Sequence, residues 1–501
     1  MRGRVVDAAI ACALAGLVFA VFGGCLSHGF VDTWDDALYV TANPAVRAFT
    51  RENLRAAVFG FHVGNWAPVQ MLSYMLDHAA FGLEARAFLR TNLLIHAANG
   101  VLLYALASRL SARRTWPAVG AALFLVHPVQ VESVAWVSQR KTLLAMFFTL
   151  LALHAWASRR RDARRARAWG AAALGAFVLA IASKSVAVVL PLLLFLLDAC
   201  FGRREDRIRR LRPLVPFALA AAAGAALAVA SQGASHAGGR TTTFHGGSPA
   251  ATLSTMLPVL ARYLGLLLRP TGLSAWYSPT VRSGPDATVF VCALLAAGLL
   301  ALGIALARRR RDLFFWYGAF FVGLIPVSQI VPIVTLMNDR YLYFPMLGGA
   351  PFAAAAAFGR APDETLLRSA RGGTALAAGL LAVLLLGAAA RERTEAWRDG
   401  LTLWTDAVAK EPCGYALDKL GATWLSLGRP DEALAACLRA REVEPAYVEA
   451  LNCVGIARAQ EGDLDGAGRA FDELLAARPD DEAARRNRDK LESLRRAGSP
   501  G

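Results

Sequence analysis

The chain has 501 residues, of which 56% are apolar and 18% are charged, and its mean hydropathy is positive at +0.40. Soluble globular proteins usually carry about 25% charged residues, so the composition disfavours a water-soluble enzyme. The apolar residues come in blocks of roughly twenty, which is the length that a helix needs to cross about 30 Å of hydrocarbon. The composition therefore predicts an integral membrane protein.

Charge divides the chain into two parts. Residues 391–501 hold 17 Lys and Arg against 21 Asp and Glu, a net charge of −4, which leaves 37 against 17, or +20, for residues 1–390. A net charge of +16 on a soluble protein would suggest nucleic acid as a partner. Here the basic residues form short clusters between apolar blocks, a pattern typical of membrane orientation, so no nucleic-acid partner is predicted.

Eleven apolar blocks are long enough to be membrane spans. They occupy approximately residues 5–24, 91–108, 117–137, 142–157, 168–183, 186–201, 213–231, 287–307, 313–332, 343–358 and 374–390. Basic clusters lie between them, at residues 2–4, 109–114, 159–167, 203–212, 308–311 and 360–371. All of these clusters fall on one side if the N-terminus is cytoplasmic. The positive-inside rule therefore predicts that orientation, in a bacterial-type inner or plasma membrane.

Eleven spans place residues 391–501 outside the cytoplasm and create two large outer loops, residues 25–90 and 232–286. A further apolar segment, residues 252–269, would put the arginines of residues 308–311 on the outer face if it crossed the membrane. It is therefore predicted to be an interfacial helix on the outer surface. Functional residues often lie on large loops like the two predicted here, residues 25–90 and 232–286.

The C-terminal part repeats with a period of 34 residues. The equivalent pairs are Gly421 with Gly455, Ala433 with Ala467, Cys437 with Phe471 and Pro445 with Pro479. This spacing is typical of tetratricopeptide repeats, in which small residues let paired helices approach each other and Pro ends the second helix. Residues 394–412 are predicted to add one more helix, and residues 480–496 a polar capping helix. The domains are therefore a membrane domain, residues 1–390, and a repeat α-solenoid, residues 391–501, in an all-α fold.

Seven cysteines are spread along the chain without a CxxC pair, so neither a zinc site nor a disulfide framework is predicted. Cys25 follows the first apolar run, as in a lipoprotein cleavage site. Phe22 stands three residues before it, where Leu is usual, and the apolar run is long enough to span. A retained first helix is therefore the favoured interpretation.

Two adjacent carboxylates, Asp35 and Asp36, open the first outer loop. They are suited to supply a general base held in orientation by its neighbour, or to cap the helix that follows. Two adjacent acids also offer oxygen ligands for a divalent metal ion, although no spacing in the sequence demands a metal.

Further charged or polar residues are predicted at the outer ends of the spans. They are His127, Glu132, Arg140, Lys141, Lys184, Asp339, Arg340 and Tyr341. Ionisable groups at such depth are costly and are functional candidates, and cations beside carboxylates would suit a lipid phosphate. Simple anchoring by Lys and Arg at helix ends is the alternative. His127 and Glu132 are five residues apart, so they do not share a helical face as metal ligands would, and a structural role is favoured for His127.

Several of these segments together resemble the transmembrane and tetratricopeptide-repeat proteins, which belong to the GT-C superfamily of glycosyltransferases and whose eukaryotic members are O-mannosyltransferases. The resemblance rests on Asp35-Asp36 with Tyr39 and Asn43-Pro44, on residues 91–99 and 127–136, on Ser183-Lys184, and on residues 339–345. It extends over the whole chain in order, and residues 127–136 are its most specific part.

The resemblance implies an inverting transfer of a sugar, a hexose such as mannose, from a polyprenyl-phosphate carrier on the outer face of the membrane. The catalytic base would be Asp35 or Asp36, and basic residues would stabilise the departing phosphate. The implied partners are the lipid-linked sugar donor and a protein or glycan acceptor, for which the repeats are the candidate binding surface.

A membrane-anchored repeat scaffold that has lost the activity is the alternative function. Two departures from the family pattern favour it: Ala67 stands where many bacterial relatives have Arg, and Thr142 where an acid usually follows the basic pair. The retained Asp35-Asp36 pair favours the enzyme. A transporter is a third reading, which the gathering of the intramembrane charges at one face disfavours.

Overall fold

The computed structural model describes residues 2–202, 211–233, 243–359 and 362–498. Most of the basic cluster predicted at residues 203–212, part of the second outer loop, and Arg360 lie outside the described residues. Within the described part the elements are helices, and a single isolated bridge between His62 and Asn65 is the only β-pairing. The predicted all-α fold class is confirmed.

The chain packs into two compact units. The first, called the membrane unit here, comprises Met1–Phe30, Leu38–Leu273 and Pro279–Glu395. The second, called the repeat unit, comprises Val31–Ala37, Ser274–Ser278 and Ala396–Gly501. The main boundary lies five residues after the predicted one. Two short segments, one from each predicted outer loop, are part of the repeat unit.

The membrane unit is built from the following helices: α1 (Arg2–Phe22), α2 (Arg51–Phe59), α3 (Pro68–Phe81), α4 (Ala85–Ser111), α5 (Thr115–Val126), α6 (Val131–Ala135), α7 (Arg140–Arg161), α8 (Ala166–Ile181), α9 (Leu190–Phe201), α10 (Val215–Gly233), α11 (Pro249–Leu268), α12 (Ala287–Arg309), α13 (Arg311–Leu324), α14 (Met346–Phe358), α15 (Asp363–Leu367) and α16 (Ala370–Thr394). Capping side chains, prolines and glycines set the ends of these helices. The Ser248 side chain accepts a hydrogen bond from the backbone N–H of Ala251, and Pro249 opens α11, as is typical of helix N-termini. The α3 helix ends at Gly82, whose φ of 65° suits glycine.

Seven helical segments of the described residues are long and apolar enough to cross a bilayer. They are Gly3–Ser27, Ala85–Ser111, Val137–Arg161, Arg212–Gln232, Pro249–Leu268, Ala287–Arg309 and Ala370–Trp397. An eighth candidate, Thr115–Val126 with Pro128–Ala135, is bent by 53°. The bend lies at Pro128, as the sequence predicts, because proline cannot continue the hydrogen-bond ladder.

The predicted number of eleven spans is not confirmed. Three predicted spans are shorter apolar helices, Ala166–Ile181, Ser185–Phe201 and Met346–Phe358. The block at residues 313–332 forms only the 14-residue helix α13, which gives way to a 3₁₀ turn containing Pro326. Conversely, Pro249–Leu268, predicted as interfacial, has the length and apolarity of a span.

Hydrogen bonds join buried polar side chains in the interior of the membrane unit. His96 on α4 contacts the hydroxyl of Tyr343 through Nδ1 at 2.8 Å and the carbonyl of Leu125 through Nε2 at 3.0 Å. Asn99, one turn further along α4, donates to the Tyr343 hydroxyl and to the carbonyl of Leu143. A polar group in hydrocarbon needs such partners because no water is present to replace them. This accounts for His96 and Asn99 of the 91–99 motif as structural groups.

One glycine sets the separation of two helices of the membrane unit. A Cβ atom at Gly348 on α14 would lie 2.2 Å from the backbone oxygen of Trp316 on α13. Any larger residue would push the backbones of α13 and α14 apart. The turn that carries Arg340 lies in the segment between these two helices.

The repeat unit contains α17 (Gly400–Lys410), α18 (Gly414–Ser426), α19 (Pro430–Val443), α20 (Ala450–Gln460), α21 (Leu464–Ala477) and α22 (Glu482–Gly498). The residues paired by the 34-residue period occupy equivalent helix contacts. A Cβ atom at Gly421 would lie 2.1 Å from Sγ of Cys437, and one at Gly455 would lie 2.4 Å from the ring of Phe471. Ala433 and Ala467 are both fully buried. Small residues at these positions allow α18 to approach α19 and α20 to approach α21.

A disulfide bond joins Cys437 on α19 to Cys453 on α20. The sequence predicted no disulfide, so this is a correction. The two cysteines are sixteen residues apart and form no recognisable motif, and only the packing of consecutive helix pairs brings them together. The bond links the second helix of one pair to the first helix of the next.

Candidate active site

Glu132 and Arg340 form an ion pair that joins the two most distinctive motifs of the membrane unit. Glu132 lies on the short helix α6, directly after the bend at Pro128, and its side chain is fully buried. Its Oε1 contacts the guanidinium of Arg340, and its Oε2 accepts a hydrogen bond from the backbone N–H of Arg340 at 2.7 Å. The two residues are 208 positions apart in the sequence. The carboxylate therefore fixes both the side chain and the backbone of Arg340.

Lys184 lies in the turn between α8 and α9 and reaches the same region. Its Nζ donates to Oγ1 of Thr142 at 2.8 Å and to Oε1 of Gln139 at 3.3 Å. The ammonium group interacts electrostatically with Lys141, Arg340 and Glu132. The structure thus gathers four of the predicted charged residues, three cations and one carboxylate, into one cluster, which we call the cationic cluster.

Lys141 is buried and is held by an aromatic ring. Its Nζ donates a hydrogen bond of 2.9 Å to the hydroxyl of Tyr39 and lies 4.5 Å from the centre of that ring. The Tyr39 hydroxyl in turn donates to the carbonyl of His62 and accepts from the amide of Asn65. Lys141 therefore connects the cationic cluster to the part of the predicted first outer loop that belongs to the membrane unit.

Arg140 has a different environment from its neighbour. Its wholly buried guanidinium lies 2.6 Å from a carboxylate oxygen of Asp77 and donates to Asn92 at 3.0 Å and to the carbonyl of Phe88 at 2.7 Å. The ring of Tyr74 lies 4.6 Å from its central carbon. Protein groups on α3 and α4 thus occupy this guanidinium, and the structure does not support the predicted phosphate-binding role. We assign Arg140 to the packing of α3, α4 and α7.

His127 stabilises the bend instead of facing a ligand. Its Nδ1 accepts from the backbone N–H of Val129 at 3.3 Å, and its Nε2 lies 3.1 Å from the carbonyl of Leu267. The first contact makes Nε2 the protonated nitrogen, because Nδ1 acts as the acceptor. This geometry matches the structural role that the sequence favoured for His127.

Asp339 and Tyr341 flank Arg340 in a 3₁₀ turn, Asp339–Leu342. Asp339 is buried, and the hydroxyl of Tyr341 contacts Oγ1 of Thr335. The guanidinium carbon of Arg340 lies 5.5 Å from the centre of the Tyr341 ring and 5.8 Å from that of Trp136. Two aromatic rings therefore border the Arg340 side chain and restrict its orientation.

Three residues that contact the cationic cluster were not among the predicted site residues: Tyr39, Gln139 and Thr142. Thr142 was noted only as a departure from an acid of the family pattern. In the structure it accepts a hydrogen bond from Lys184. A hydroxyl at this position gives Lys184 a hydrogen-bond partner but does not add the negative charge that an acid would bring. The cluster is correspondingly more cationic than the family pattern would make it.

Asp35 and Asp36 belong to the repeat unit, in the segment Val31–Ala37. Asp36 is buried, and its Oδ2 accepts a hydrogen bond from the backbone N–H of Val31 at 2.9 Å. Asp35 is half-buried, and its carboxylate makes no hydrogen bond or ion pair with any described residue. Adjacent acids thus have different environments, and Asp35 is the one available for proton transfer.

Aromatic contacts hold this segment against the repeat helices. The indole of Trp34 stacks on Trp397 with ring centres 6.2 Å apart and meets Trp404 at 4.9 Å. The Thr33 hydroxyl lies 3.3 Å from the indole nitrogen of Trp404. A second segment, Ser274–Ser278, stacks Trp276 on Tyr415 at 3.7 Å. The residue next to Asp35 is therefore anchored on both sides by α17 and the turn before it.

A metal site at Asp35 and Asp36 has no further support from the described residues. Among the described residues, one group of three side chains could hold a metal ion, namely Asp418, Cys437 and Cys453. The two cysteines of this group are joined in the disulfide. No third His, Cys, Asp or Glu ligand is placed with Asp35 and Asp36 in the part of the chain that the structure describes.

Comparison with known proteins identifies relatives among glycosyltransferases. No protein-family model matches the chain. The chain is 31% identical over 196 residues to Protein O-mannosyl-transferase Tmtc1 of Drosophila melanogaster, a match that covers 37% of this chain and 22% of that protein. It is 31% identical over 163 residues to Protein O-mannosyl-transferase TMTC1 of Mus musculus, covering 30% and 17%. A match of 40% identity over 72 residues, covering 14% and 21%, is to the FK506-binding protein-like protein of Mus musculus.

The two matches to O-mannosyl-transferases confirm the resemblance to the transmembrane and tetratricopeptide-repeat proteins. The chain aligns with less than a quarter of the length of all three relatives. Among solved structures, ArnT from Cupriavidus metallidurans bound to undecaprenyl phosphate superposes with a TM-score of 0.40 at 17% identity, covering 93% of this chain and 79% of that chain. The apo form of the same protein gives a TM-score of 0.39 at 15% identity. Both values describe a distant similarity. The seven apolar helical segments that are long enough to cross a bilayer identify an integral membrane protein.

Proposed function

We propose that this protein is a membrane glycosyltransferase that transfers a sugar, with mannose as the first candidate, from a polyprenyl-phosphate carrier to an acceptor hydroxyl on the extracytoplasmic face. The observation that carries the proposal is the cationic cluster, in which Lys184 interacts electrostatically with Lys141, Arg340 and Glu132, and Glu132 pairs with Arg340. The identity with O-mannosyl-transferases supports the reaction class.

Lys184 and Arg340 are the proposed contacts to the donor phosphate. A charge-assisted hydrogen bond from an ammonium or guanidinium group to phosphate is roughly twice as strong as a neutral one. Glu132 holds Arg340 through both its side chain and its backbone, so the guanidinium is oriented before the donor arrives. Groups that are already oriented lose no free energy to reorganisation during the reaction. Glu132 is therefore proposed as a positioning residue.

Asp35 is the proposed base. It takes the proton of the acceptor hydroxyl while the hydroxyl oxygen forms a bond to the anomeric carbon of the sugar. The bond between that carbon and the phosphate oxygen breaks, and its electron pair stays with the phosphate. Attack from the side opposite the phosphate inverts the configuration at the anomeric carbon. The cations stabilise the negative charge that develops on the leaving polyprenyl phosphate, and Asp35 returns its proton to water.

The repeat unit is the proposed binding surface for the acceptor, which is a protein or a glycan attached to one. Stacked helix pairs form extended concave surfaces that bind such partners. Asp35 lies in the same compact unit as these helices.

One observation favours the alternative of a scaffold without activity. In the basic pair Arg140-Lys141, Arg140 forms a buried ion pair with Asp77, and Lys141 donates a hydrogen bond to Tyr39. A site that retained both for a ligand would leave them accessible. A direct assay of sugar transfer distinguishes the scaffold function from the enzyme function.

The test measures transfer of radiolabelled mannose from polyprenyl-phosphate mannose by the full-length protein in detergent. We expect Asp35→Asn to lower the rate at least about 10²-fold, the lower limit of general-base catalysis. The matched control is Glu52→Gln, which removes an exposed carboxylate from the same outer loop and should leave the rate unchanged. Lys184→Ala should chiefly raise the KM for the donor. Full activity of Asp35→Asn would remove the catalytic role of this residue.

Activity is compared with and without EDTA to decide whether a divalent cation takes part. Absence of transfer from every polyprenyl-phosphate hexose by the unaltered protein, with the protein shown to be folded, would leave the scaffold as the function.

A further inference from the structure

A second charged region of the membrane unit lies at the opposite ends of the helices that carry the cationic cluster. The α9 helix starts near Lys184 and runs for twelve residues to Phe201, a length of about 18 Å. At that end the helices border an open cavity of about 610 Å³. The ends of α4, α5, α9, α12, α13 and α14 contribute to its wall.

Four arginines line this cavity: Arg113, Arg308, Arg309 and Arg311. Among the described residues of the lining, Asp312 is the one acidic residue, and the guanidinium of Arg310 pairs with it through two hydrogen bonds of 3.1 and 2.9 Å. Arg308 and Arg311 are exposed and make no hydrogen bond or ion pair with any residue in the described ranges.

Two further features of the wall favour an anion. The α13 helix begins at Arg311 without a side-chain cap and carries one acidic residue, Asp312, in its first turn. The N–H groups of an uncapped helix N-terminus attract negative charge. The buried rings of Trp116 and Trp316 meet edge to face at 6.0 Å and form an aromatic part of the lining. Tryptophan is typical of the level at which lipid head groups meet hydrocarbon.

We propose that this cavity binds the phosphate group of an anionic phospholipid. The arginines and the start of α13 would contact the phosphate, and Leu110 and Phe201 supply apolar surface for the glycerol and the first part of the acyl chains. Basic pockets between membrane helices are suited to anionic head groups. The site lies at the other end of the bundle from the proposed donor site, so it does not depend on the glycosyltransferase proposal or on the orientation of the termini.

The positive-inside rule provides a competing explanation for the arginines, because basic residues accumulate at this end of the helices whether or not they bind a lipid. A matched pair of variants separates the two. Arg308→Gln with Arg311→Gln removes two charges from the cavity. Arg164→Gln with Arg165→Gln removes two exposed charges from the same end of the bundle but outside the cavity.

The experiment incubates the full-length protein, stripped of lipid in a neutral detergent, with phosphatidylglycerol, phosphatidylcholine or inorganic phosphate, and counts bound molecules by native mass spectrometry. We expect one phosphatidylglycerol to bind in preference to phosphatidylcholine. Since each basic residue near a membrane surface contributes about a fivefold gain in affinity for anionic lipid, the cavity double variant should weaken this binding about 10- to 30-fold. The control double variant should retain it. Unchanged thermal unfolding without lipid would show that both variants fold.

Three results would overturn the proposal. Equal loss of phosphatidylglycerol in both double variants would assign the binding to general surface charge. Equal binding of phosphatidylcholine would show that no anion is recognised. Saturable binding of inorganic phosphate together with no bound phosphatidylglycerol would show that the cavity takes a free anion and not a lipid.

Discussion

The membrane unit and the repeat unit hold their helices together by different interactions. In the membrane unit, buried charged and polar groups join helices that are distant in sequence, as in the pairs Arg140 with Asp77 and Arg340 with Glu132. In the repeat unit, helices that are consecutive in sequence touch at small residues such as Gly421 and Gly455. Its ion pairs, such as Arg478 with Glu449, lie at partly exposed positions.

The difference follows from the solvent. Hydrocarbon gives little driving force for apolar helices to associate and no partner for a polar group, so polar contacts provide the specificity. Water drives apolar burial and makes exposed ion pairs weak, with about 0–1 kcal/mol each. The same type of substitution should therefore have unequal effects in the two units.

The largest expected effect is at the buried ion pair of the membrane unit. Asp77→Asn leaves the fully buried guanidinium of Arg140 without its carboxylate and should lower the free energy of unfolding by about 3–5 kcal/mol. The measurement is thermal unfolding of the purified protein in detergent. The control is Asp312→Asn, which breaks the half-exposed pair with Arg310 in the same unit and should cost less than about 1 kcal/mol. Equal effects would show that burial does not set the strength of these pairs.

The disulfide should give the next largest effect. Replacing Cys437 and Cys453 by Ser reopens a loop with a sequence separation of 16 and should destabilise the repeat unit by about 3 kcal/mol. Limited proteolysis of the C-terminal region reports the loss. Thiol titration of the unfolded, unreduced protein should find the five free cysteines and not seven. Seven reactive thiols in protein from an oxidising compartment would contradict the bond.

A smaller effect is expected at the contact between α18 and α19. Ala433→Trp inserts a large side chain at a fully buried position and should cost about 1–3 kcal/mol by overpacking. The repeat unit should become more sensitive to protease while the membrane unit is unchanged. Ala435→Trp on the exposed face of the same helix is the matched control. If both variants resist proteolysis equally, the predicted register of the repeats is wrong.

The smallest expected effect is an increase, not a decrease, in the free energy of unfolding. Burial raises the pKa of Asp418 in the repeat unit above the usual value, and nearby Lys419 only partly offsets this. The folded state therefore binds the proton of Asp418 more tightly than the unfolded state, and its stability falls as the pH rises from the usual Asp pKa through the raised one. Asp418→Asn should remove this decline and make the protein slightly more stable at neutral pH. A loss of stability like that of Asp77→Asn would remove the contrast between the units.

Periodic features of the fold could be predicted from sequence. The apolar blocks and the 34-residue spacing are local patterns that persist whatever the tertiary arrangement, and Pro128 bends its span for a local steric reason. The number of spans was harder to predict, because the length of an apolar block alone does not tell whether a short helix such as Ala166–Ile181 crosses the membrane.

The candidate site was predictable in part. Expected depth in the membrane grouped Glu132, Lys184 and Arg340, but it could not tell Arg140 from Lys141. These two residues are adjacent at the start of α7, where successive side chains point about 100° apart. One enters the packing of α3 and α4, and the other meets Tyr39. Only the tertiary fold decides which direction leads to a ligand.

The stacking of Trp34 and Trp276 on aromatic residues of the repeat unit limits how easily the C-terminal repeats could be removed or exchanged. The chain passes between the two units five times, at residues 30–31, 37–38, 273–274, 278–279 and 395–396. A protein shortened to end at Glu395 would keep Trp34 and Trp276 but lose Trp397, Trp404 and Tyr415, the rings they stack on. The repeats are therefore not a removable appendage. Exchanging them for another array would require matching changes in two segments far upstream, and any movement of α17 would carry Asp35 with it.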